Sequence, residues 1–259
     1  MTFHDLHVPG EPFVLANAWD RGTARLLAGL GARAVATSSA AHAFTLGRAD
    51  GKVTLDEALS HAAALAASVD VPLAIDFEDG FAAGPSDFPG ILDRVAATGA
   101  AGISIEDWTW EGGAYPFEAA VARIKAAASA ARERGIHLTA RADGVMHGAY
   151  DVSEAVRRLA AFAKAGADCL YAPVLPDDEA IRAVVAIGKP VNVLAAGGTL
   201  ERDLDHYAAL GVARVSLGST LARVAQRAVL DAAGPLLSEG RITALRHASP
   251  ARAVDRFLD

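Results

Sequence analysis

Short apolar runs alternate along this chain with longer, alanine-rich stretches whose apolar residues recur every three or four positions. The runs are Phe13–Ala16, Ala34–Thr37, Leu73–Asp76, Gly102–Ile105, His137–Arg141, Cys169–Ala172, Val191–Leu194 and Arg214–Leu217. They read as strands, whereas Thr54–Ser68, Phe88–Thr98, Pro116–Arg134, Val152–Ala165 and Asp177–Ile187 carry the helical period with mostly polar outer faces. Gly31, Gly99, Gly135, Gly166, Gly188 and Gly211 each fall just past a helical stretch, where a C-terminal cap takes a left-handed residue. Ser86-Asp87 and Asp151–Glu154 are helix starts of the capping type. Repeated strand-then-helix units without a long linker predict an α/β fold, a parallel (β/α)8 TIM barrel. A doubly wound open sheet is the alternative, but it usually has fewer strands, and the first strand lacks a dinucleotide-site glycine fingerprint.

Beyond Ser219 the alternation stops. Leu221–Ala233 and Ile242–Leu258 read as two helices joined through Gly234-Pro235 and Gly240, with no strand between them. The expectation is one barrel domain over residues 1–259, with 220–259 forming C-terminal oligomerisation helices. A homo-oligomer follows if those helices pack on a neighbouring subunit; packing on their own barrel would give the same pattern.

Composition narrows the partners. The 259 residues are 52% hydrophobic and 21% charged, enough for a large core, and the formal net charge is −7 with both signs interspersed. No basic stripe is present, which excludes a nucleic-acid binder of the usual kind. The single cysteine, Cys169, rules out an intramolecular disulfide framework and reads as a small core residue in strand six. The N-terminus lacks signal-peptide blocks and no apolar stretch would span a bilayer, so the expectation is a cytoplasmic protein without a membrane partner.

In a barrel, chemistry gathers at the C-terminal ends of the strands. Those positions hold Asn17, Trp19 and Asp20; Thr37, Ser38 and Ser39, with His42 and Asp50 further along; Asp76, Glu78 and Asp79; Glu106 and Asp107; Arg141, Asp143 and His147; Asn192; and Ser216. Neighbouring strands that both end in carboxylates suit a hard divalent cation, which prefers oxygen ligands. Acidic turns that cap the following helices are the plainer reading. Arg141 at a strand's inner end needs a partner, either a structural carboxylate or an anionic group of a substrate. None of the four lysines lies at a strand's C-terminal end, so a Schiff-base mechanism lacks its nucleophile. No histidine pair has zinc spacing. Gly197-Gly198 and Gly218-Ser219 follow strands seven and eight, where many barrels bind phosphate, although glycine there also serves tight turns.

The order of motifs resembles the isocitrate lyase/phosphoenolpyruvate mutase superfamily, specifically its short bacterial members. The segments that carry the resemblance are Asn17–Asp20, Ala36–Ala40, Leu46–Gly51, Asp76–Phe81, Gly102–Asp107, Ala140–Asp143, Val191–Val193 and Leu210–Gly218. The resemblance implies Mg²⁺ or Mn²⁺ held by Asp76, Glu78 and Glu106, with Asp50 near the ion. It further implies a small α-keto or 2-hydroxy carboxylate substrate contacted by Ser38, Ser39, Ala40, Asp50, Arg141 and Asn192, and catalytic roles for Arg141, Asp50 and Glu106. Members are typically tetramers that exchange a C-terminal helix, so a tetramer or dimer with exchanged helices is expected. Two departures bear on the reaction. The Lys-Lys/Arg-Cys-Gly-His loop of the isocitrate lyases is missing, and the loop Asp107–Pro116 lacks the asparagine of the mutases. The expectation is therefore a Mg²⁺-dependent carbon–carbon lyase or decarboxylase working through an enolate, with Trp108, Trp110 and Tyr115 as an apolar lid. Phosphonopyruvate hydrolysis or mutase-type P–C chemistry is one alternative, and a non-catalytic carboxylate-binding barrel is another.

Overall fold

In the computed structural model, which describes residues 2–258, the eight apolar runs become the staves of a closed barrel. In chain order the elements begin β1 (Phe13–Asn17), α1 (Arg21–Gly29), β2 (Val35–Ala36), α2 (Ser39–Thr45), α3 (Leu55–Ala66), β3 (Leu73–Asp76), α4 (Phe88–Ala97) and β4 (Gly102–Glu106). A hairpin of β5 (Trp108–Thr109) and β6 (Gly113–Ala114) follows, then α5 (Phe117–Glu133), β7 (His137–Arg141), α6 (Gly144–His147), α7 (Val152–Ala165) and β8 (Cys169–Tyr171). The chain ends with α8 (Asp178–Val185), β9 (Val191–Leu194), α9 (Leu204–Ala209), β10 (Arg214–Ser216), α10 (Thr220–Glu239) and α11 (Ala251–Asp255). The staves close in the order β1-β10-β9-β8-β7-β4-β3-β2, each pair parallel.

The strands are short and apolar because both faces are covered, one by helices and the other by the barrel interior. Helix α7 shows how the outer layer is specified. Asp151 caps it by accepting from Glu154 N at 2.9 Å, and Ala155, Leu159 and Phe162 form its fully buried stripe. Gly166, at φ 112°, ends it in a conformation an L-residue adopts only with strain. Each large side chain buried this way contributes roughly 1.5–3 kcal/mol.

Register then positions the chemistry. Asp76 lies opposite Ser104, Glu106 opposite Arg141, and Arg141 opposite Tyr171, so three charged groups on adjacent staves reach the same mouth.

The other end is plugged by the N-terminal segment. Phe3 and Leu6 are buried, and the His7 ring stacks on His137 with centroids 4.1 Å apart. His7 Nδ1 bonds the Phe3 carbonyl at 2.9 Å, while Nε2 faces Arg214 Nη1 at 2.9 Å. Arginine can only donate, so Nε2 accepts and the proton sits on Nδ1.

The C-terminal region differs from the two helices expected. Helix α10 continues through Gly234-Pro235 to Glu239, and Gly240 (φ 68°) ends it. Proline forfeits one hydrogen bond to the preceding turn, but on so exposed a helix the freed carbonyl can be hydrated. Beyond it the chain makes a 3-10 segment, Ile242–His247, and the short α11. The end of the chain lies on its own barrel: Arg25 bonds the Leu258 carbonyl, and Phe257 fills the space beside Gly29. Val224, Val229, Leu230 and Leu237 of α10 stay exposed. Among the described residues no helix is long and apolar enough to cross a membrane.

Buried neutral histidines make stability depend on acid. Burial, then the Arg214 charge, lowers the pKa of His7 to about 3; burial and His42 lower that of His61 to about 4. Both folded values lie below the unfolded value near 6.5, so the stabilisation is complete above 6.5 and is lost as pH falls through the folded values. Urea denaturation at stepped pH should show the unfolding free energy declining from pH 6.5 toward 4, with a shallower decline in His7→Gln.

Candidate active site

The mouth is organised around Arg141. Its Nη1 donates to Asp76 Oδ1 at 2.6 Å, Nη2 pairs with Glu106 Oε2 at 3.0 Å, and Nη2 and Nε reach Asp143 Oδ2 and Oδ1 at 2.5 and 3.1 Å. Its guanidinium also lies 5.1 Å from the Tyr171 ring centroid. Burial opposes the charge, but Asp143, Glu106 and Asp76 outweigh it and raise the Arg141 pKa well above its usual value.

Asp76 is further fixed by Ser39, whose N and Oγ both donate to Oδ2 at 3.0 Å, and by Ser104 Oγ at 3.3 Å from Oδ1. Ser38 caps α2 by accepting from Ala41 N, and Ala40 is buried in the same turn. Asp50 stands at a turn and accepts from Gly51 N at 3.0 Å; burial, then the Asp76 charge, raises its pKa. Asn192 lies deeper, fully buried, between Arg214 and Ser216.

Glu78 is the unsatisfied member. It holds φ 45°, a left-handed conformation that is strained for a non-glycine residue, and its buried Oε1 has no hydrogen-bond partner. Burial, then Asp76, Asp50 and Asp79, raises its pKa to about 8. Glu106 is raised well above the carboxylate range because burial, with Asp143, Asp76 and Glu78, outweighs Arg141.

Two other acids of the mouth serve the scaffold. Asp107 accepts from Asp143 N (2.8 Å), Tyr150 Oη (2.7 Å) and Arg158 Nη1 (2.9 Å). Asp79 takes Tyr115 Oη at 2.7 Å and Arg123 Nη2 at 3.2 Å. Breaking a buried pair of this kind typically costs about 3–5 kcal/mol, since the surviving charge is left unpaired. Neither Arg123 nor Arg158 was picked out by position along the strands. The signal lay in the helices, where each arginine interrupts an apolar stripe, Arg123 beside Ala120 and Ile124, Arg158 beside Ala155 and Leu159.

The loop after β4 is the hairpin β5–β6. Trp108 stacks on His147 with centroids 4.0 Å apart, and Trp110 meets the same ring edge-on at 5.7 Å. Trp110 also presses on Gly51, where a Cβ would come within 2.1 Å of the indole. The hairpin thus spans the mouth from the Asp50-Gly51 turn to α6. Tyr115 does not join this cover, in contrast to the expectation; Asp79 and the Arg123 guanidinium, 4.4 Å over its ring, anchor it at the hairpin base. Gly218, read as part of a phosphate turn, has its N–H committed to Asn17 Oδ1 at 2.8 Å.

The expected metal ligands are brought to one mouth, but they do not form a finished cage. Among the described residues no three His, Cys, Asp or Glu side chains converge as a metal site, because Asp76 and Glu106 turn to Arg141. The donor set still fits a hard cation. Asp79 and Asp107 are matched by Arg123 and Arg158, whereas Asp50, Asp76, Glu78, Glu106 and Asp143 share Arg141, and Glu78 presents an unpartnered buried oxygen.

The fold and the mouth are those of a parallel barrel with acids and an arginine at the strands' C-terminal ends, and the family match assigns that barrel to a class of lyases and mutases. The chain belongs to the phosphoenolpyruvate phosphomutase family, whose model matches residues 3–237, and so to the isocitrate lyase/PEP mutase superfamily. It is an enzyme of that type, which sets aside the silent-barrel reading. It is 36% identical over 222 residues to an uncharacterized protein of Mycobacterium tuberculosis (strain H37Rv), covering 85% of this chain and 82% of that one. A crystal structure from Burkholderia cenocepacia J2315, provisionally described as a lyase/mutase, matches with TM-score 0.93 and 42% identity, covering 99% of this chain and 94% of the other. A second structure from that organism, provisionally described as a phosphonomutase, matches with TM-score 0.80 and 33% identity, covering 87% and 94%.

The isolated Glu78 charge gives a signed expectation for the metal-free protein. Its folded pKa, about 8, exceeds the ordinary 4.5, so the fold is favoured below 4.5 and loses that support as pH rises through 8. Glu78→Gln should therefore raise the melting temperature of EDTA-treated protein at pH 8, with the gain vanishing below pH 4.5.

Proposed function

We propose that the protein is a Mg²⁺- or Mn²⁺-dependent carbon–carbon lyase or decarboxylase acting on a small α-keto or 2-hydroxy carboxylic acid. The observation that carries this reading is the excess of buried carboxylate over positive charge at the mouth, with Glu78 unmatched. Asp76, Glu78 and Glu106 would hold the ion, with Asp50 beside it. Bound there, it would supply Lewis-acid stabilisation of the negative charge that develops on a keto oxygen during bond cleavage.

The chain's own residues account for the remaining tasks. Ser39 orients Asp76 through two hydrogen bonds, and the Asp107–Arg158 and Asp79–Arg123 pairs keep the loops under the mouth rigid. Arg141 is planar, permanently charged and already surrounded by anions, so a substrate carboxylate can take the place of one of them. Trp108 and Trp110 exclude water from the reacting carbons.

Phosphorus–carbon chemistry is the second reading, favoured by the 33% identity to the Burkholderia phosphonomutase-type structure. Against it stands the hairpin loop, which offers Thr109 and Glu111 but no asparagine. Phosphate release from phosphonopyruvate would separate the two.

The decisive assay follows keto-acid release from oxaloacetate and alkylmalates with Mg²⁺ and with EDTA. Turnover is expected only with metal, and Asp76→Asn should lower kcat by about 100-fold or more while the barrel remains folded. Metal-independent turnover, or full activity in that variant, would overturn the assignment.

Assembly is part of the proposal. The uncovered Val224, Val229, Leu230 and Leu237 support a homo-oligomer built on α10, as a dimer or a tetramer. Light scattering coupled to gel filtration should give a multiple of 26.6 kDa for the native chain and a smaller species for Val229→Asp/Leu230→Asp. A native monomer would remove this part.

A further inference from the structure

Two polar atoms behind the mouth are buried without a partner and belong to residues that border one small space. They are Glu78 Oε1 and His61 Nε2. The space is a cavity of about 10 Å³ between β3, α2 and α3, lined among others by Ser38, His42, His61, Ile75, Asp76 and Glu78. A cavity of that size holds about one water, provided that two or more polar groups face it. Neither atom reaches the other directly, since both lack a hydrogen-bond partner. A buried polar atom left unpaired bears its whole desolvation cost, so two of them at one cavity call for a group between them.

The imidazole is firmly placed. His61 interrupts the buried face of α3, formed by Ala58, Leu59, Ala62 and Leu65. Its ring stacks on that of His42 in α2, with centroids 3.8 Å apart and planes within 6° of parallel. Burial and the neighbouring His42 keep His61 neutral, so its Nε2 can donate or accept. One water satisfies both orphans in either case, because it can donate to Glu78 Oε1 and still exchange a bond with Nε2. The same helices tie the cavity to Asp76. Ser39, the first residue of α2, donates twice to Asp76 Oδ2, and His42 follows one turn later.

We propose that His61, through a single enclosed water, is a positioning residue for Glu78, holding one carboxylate oxygen from behind and leaving the other to face the cation proposed for the mouth. The inference rests on the reading of the mouth as a divalent-metal site and deepens it by giving Glu78 a support outside the acidic cluster. Asp76 and Glu106 are steadied by Arg141, whereas Glu78 Oε1 has no such partner. Groups behind a metal ligand fix its direction, and their loss typically costs about 10–100-fold in metal affinity. His61 itself need not touch metal or substrate.

Two measurements test this. The first is the affinity of the full chain for Mn²⁺, read from the free-ion signal in electron paramagnetic resonance. His61→Leu, which removes both ring nitrogens, should weaken Mn²⁺ about tenfold or more. His61→Gln, which returns a polar group at similar reach, should recover most of that loss. Recovery would not follow if His61 only filled space, because leucine fills it as well. The second is a crystal structure of the metal-free native protein at a resolution that shows solvent, and it decides the matter even if His61→Leu does not fold. A water within about 3.2 Å of both Glu78 Oε1 and His61 Nε2 is expected. Unchanged Mn²⁺ affinity in His61→Leu, no recovery in His61→Gln, or a cavity without a water touching both atoms would overturn the role of His61 and leave the mouth reading standing. A native protein that does not bind Mn²⁺ would overturn both.

Discussion

Everything at the mouth depends on one guanidinium held among carboxylates. Arg141 receives Asp76 from β3, Glu106 from β4 and Asp143 from the loop after its own strand. Without that charge these acids, packed at the ends of adjacent staves, would repel one another in a medium that screens poorly. With it, they stay close, but their oxygens are engaged. A divalent ion at the proposed site would therefore compete with Arg141 for the same lone pairs, and drawing Asp76 and Glu106 away from the arginine would free it for a substrate anion. On the proposed reading, metal and substrate binding would thus be coupled through charge.

The staves were legible in the sequence because a parallel strand covered on both faces leaves an unmistakable mark, a short apolar run bounded by polar residues. Their C-terminal ends could then be counted off, and Asp76, Glu78, Glu106 and Arg141 do meet at one mouth. What could not be read was which acids were already engaged. Asp79 and Asp107 look the same as Asp76 and Glu106 along the chain, yet each is taken by an arginine more than forty residues away. Pairing is a tertiary fact. Its only trace in the sequence is a charge placed where a helix should be apolar, as at Arg123 and Arg158.

Two local features escaped for other reasons. Strands β5 and β6 have two residues each, too few to show an alternation, so the loop gave no sign of being a hairpin. Helix α10 runs through a Gly-Pro pair that normally ends a helix. The rule assumes that a lost hydrogen bond is costly, and in an exposed helix water can replace it. The uncovered apolar positions along α10 and its passage through that pair have the same origin, since both belong to a helix that the barrel itself scarcely buries.

The two arginines of the barrel interior illustrate how similar residues acquire opposite duties. Arg141 lies where acids outnumber it, so its charge is spent locally and its value is geometric, a fork that holds carboxylates in place. Arg214 lies among His7, Asn192 and Thr139, which accept its hydrogen bonds but carry no opposite charge. His7 contributes to this by staying neutral: a proton on Nε2 would set two donors against each other, and burial together with Arg214 keeps it off. The aromatic plug at the closed end of the barrel is thus tied to Arg214 through His7. Its packing removes solvent from beneath Arg214, so the hydrogen bonds to His7, Asn192 and Thr139 stand in place of water around that guanidinium.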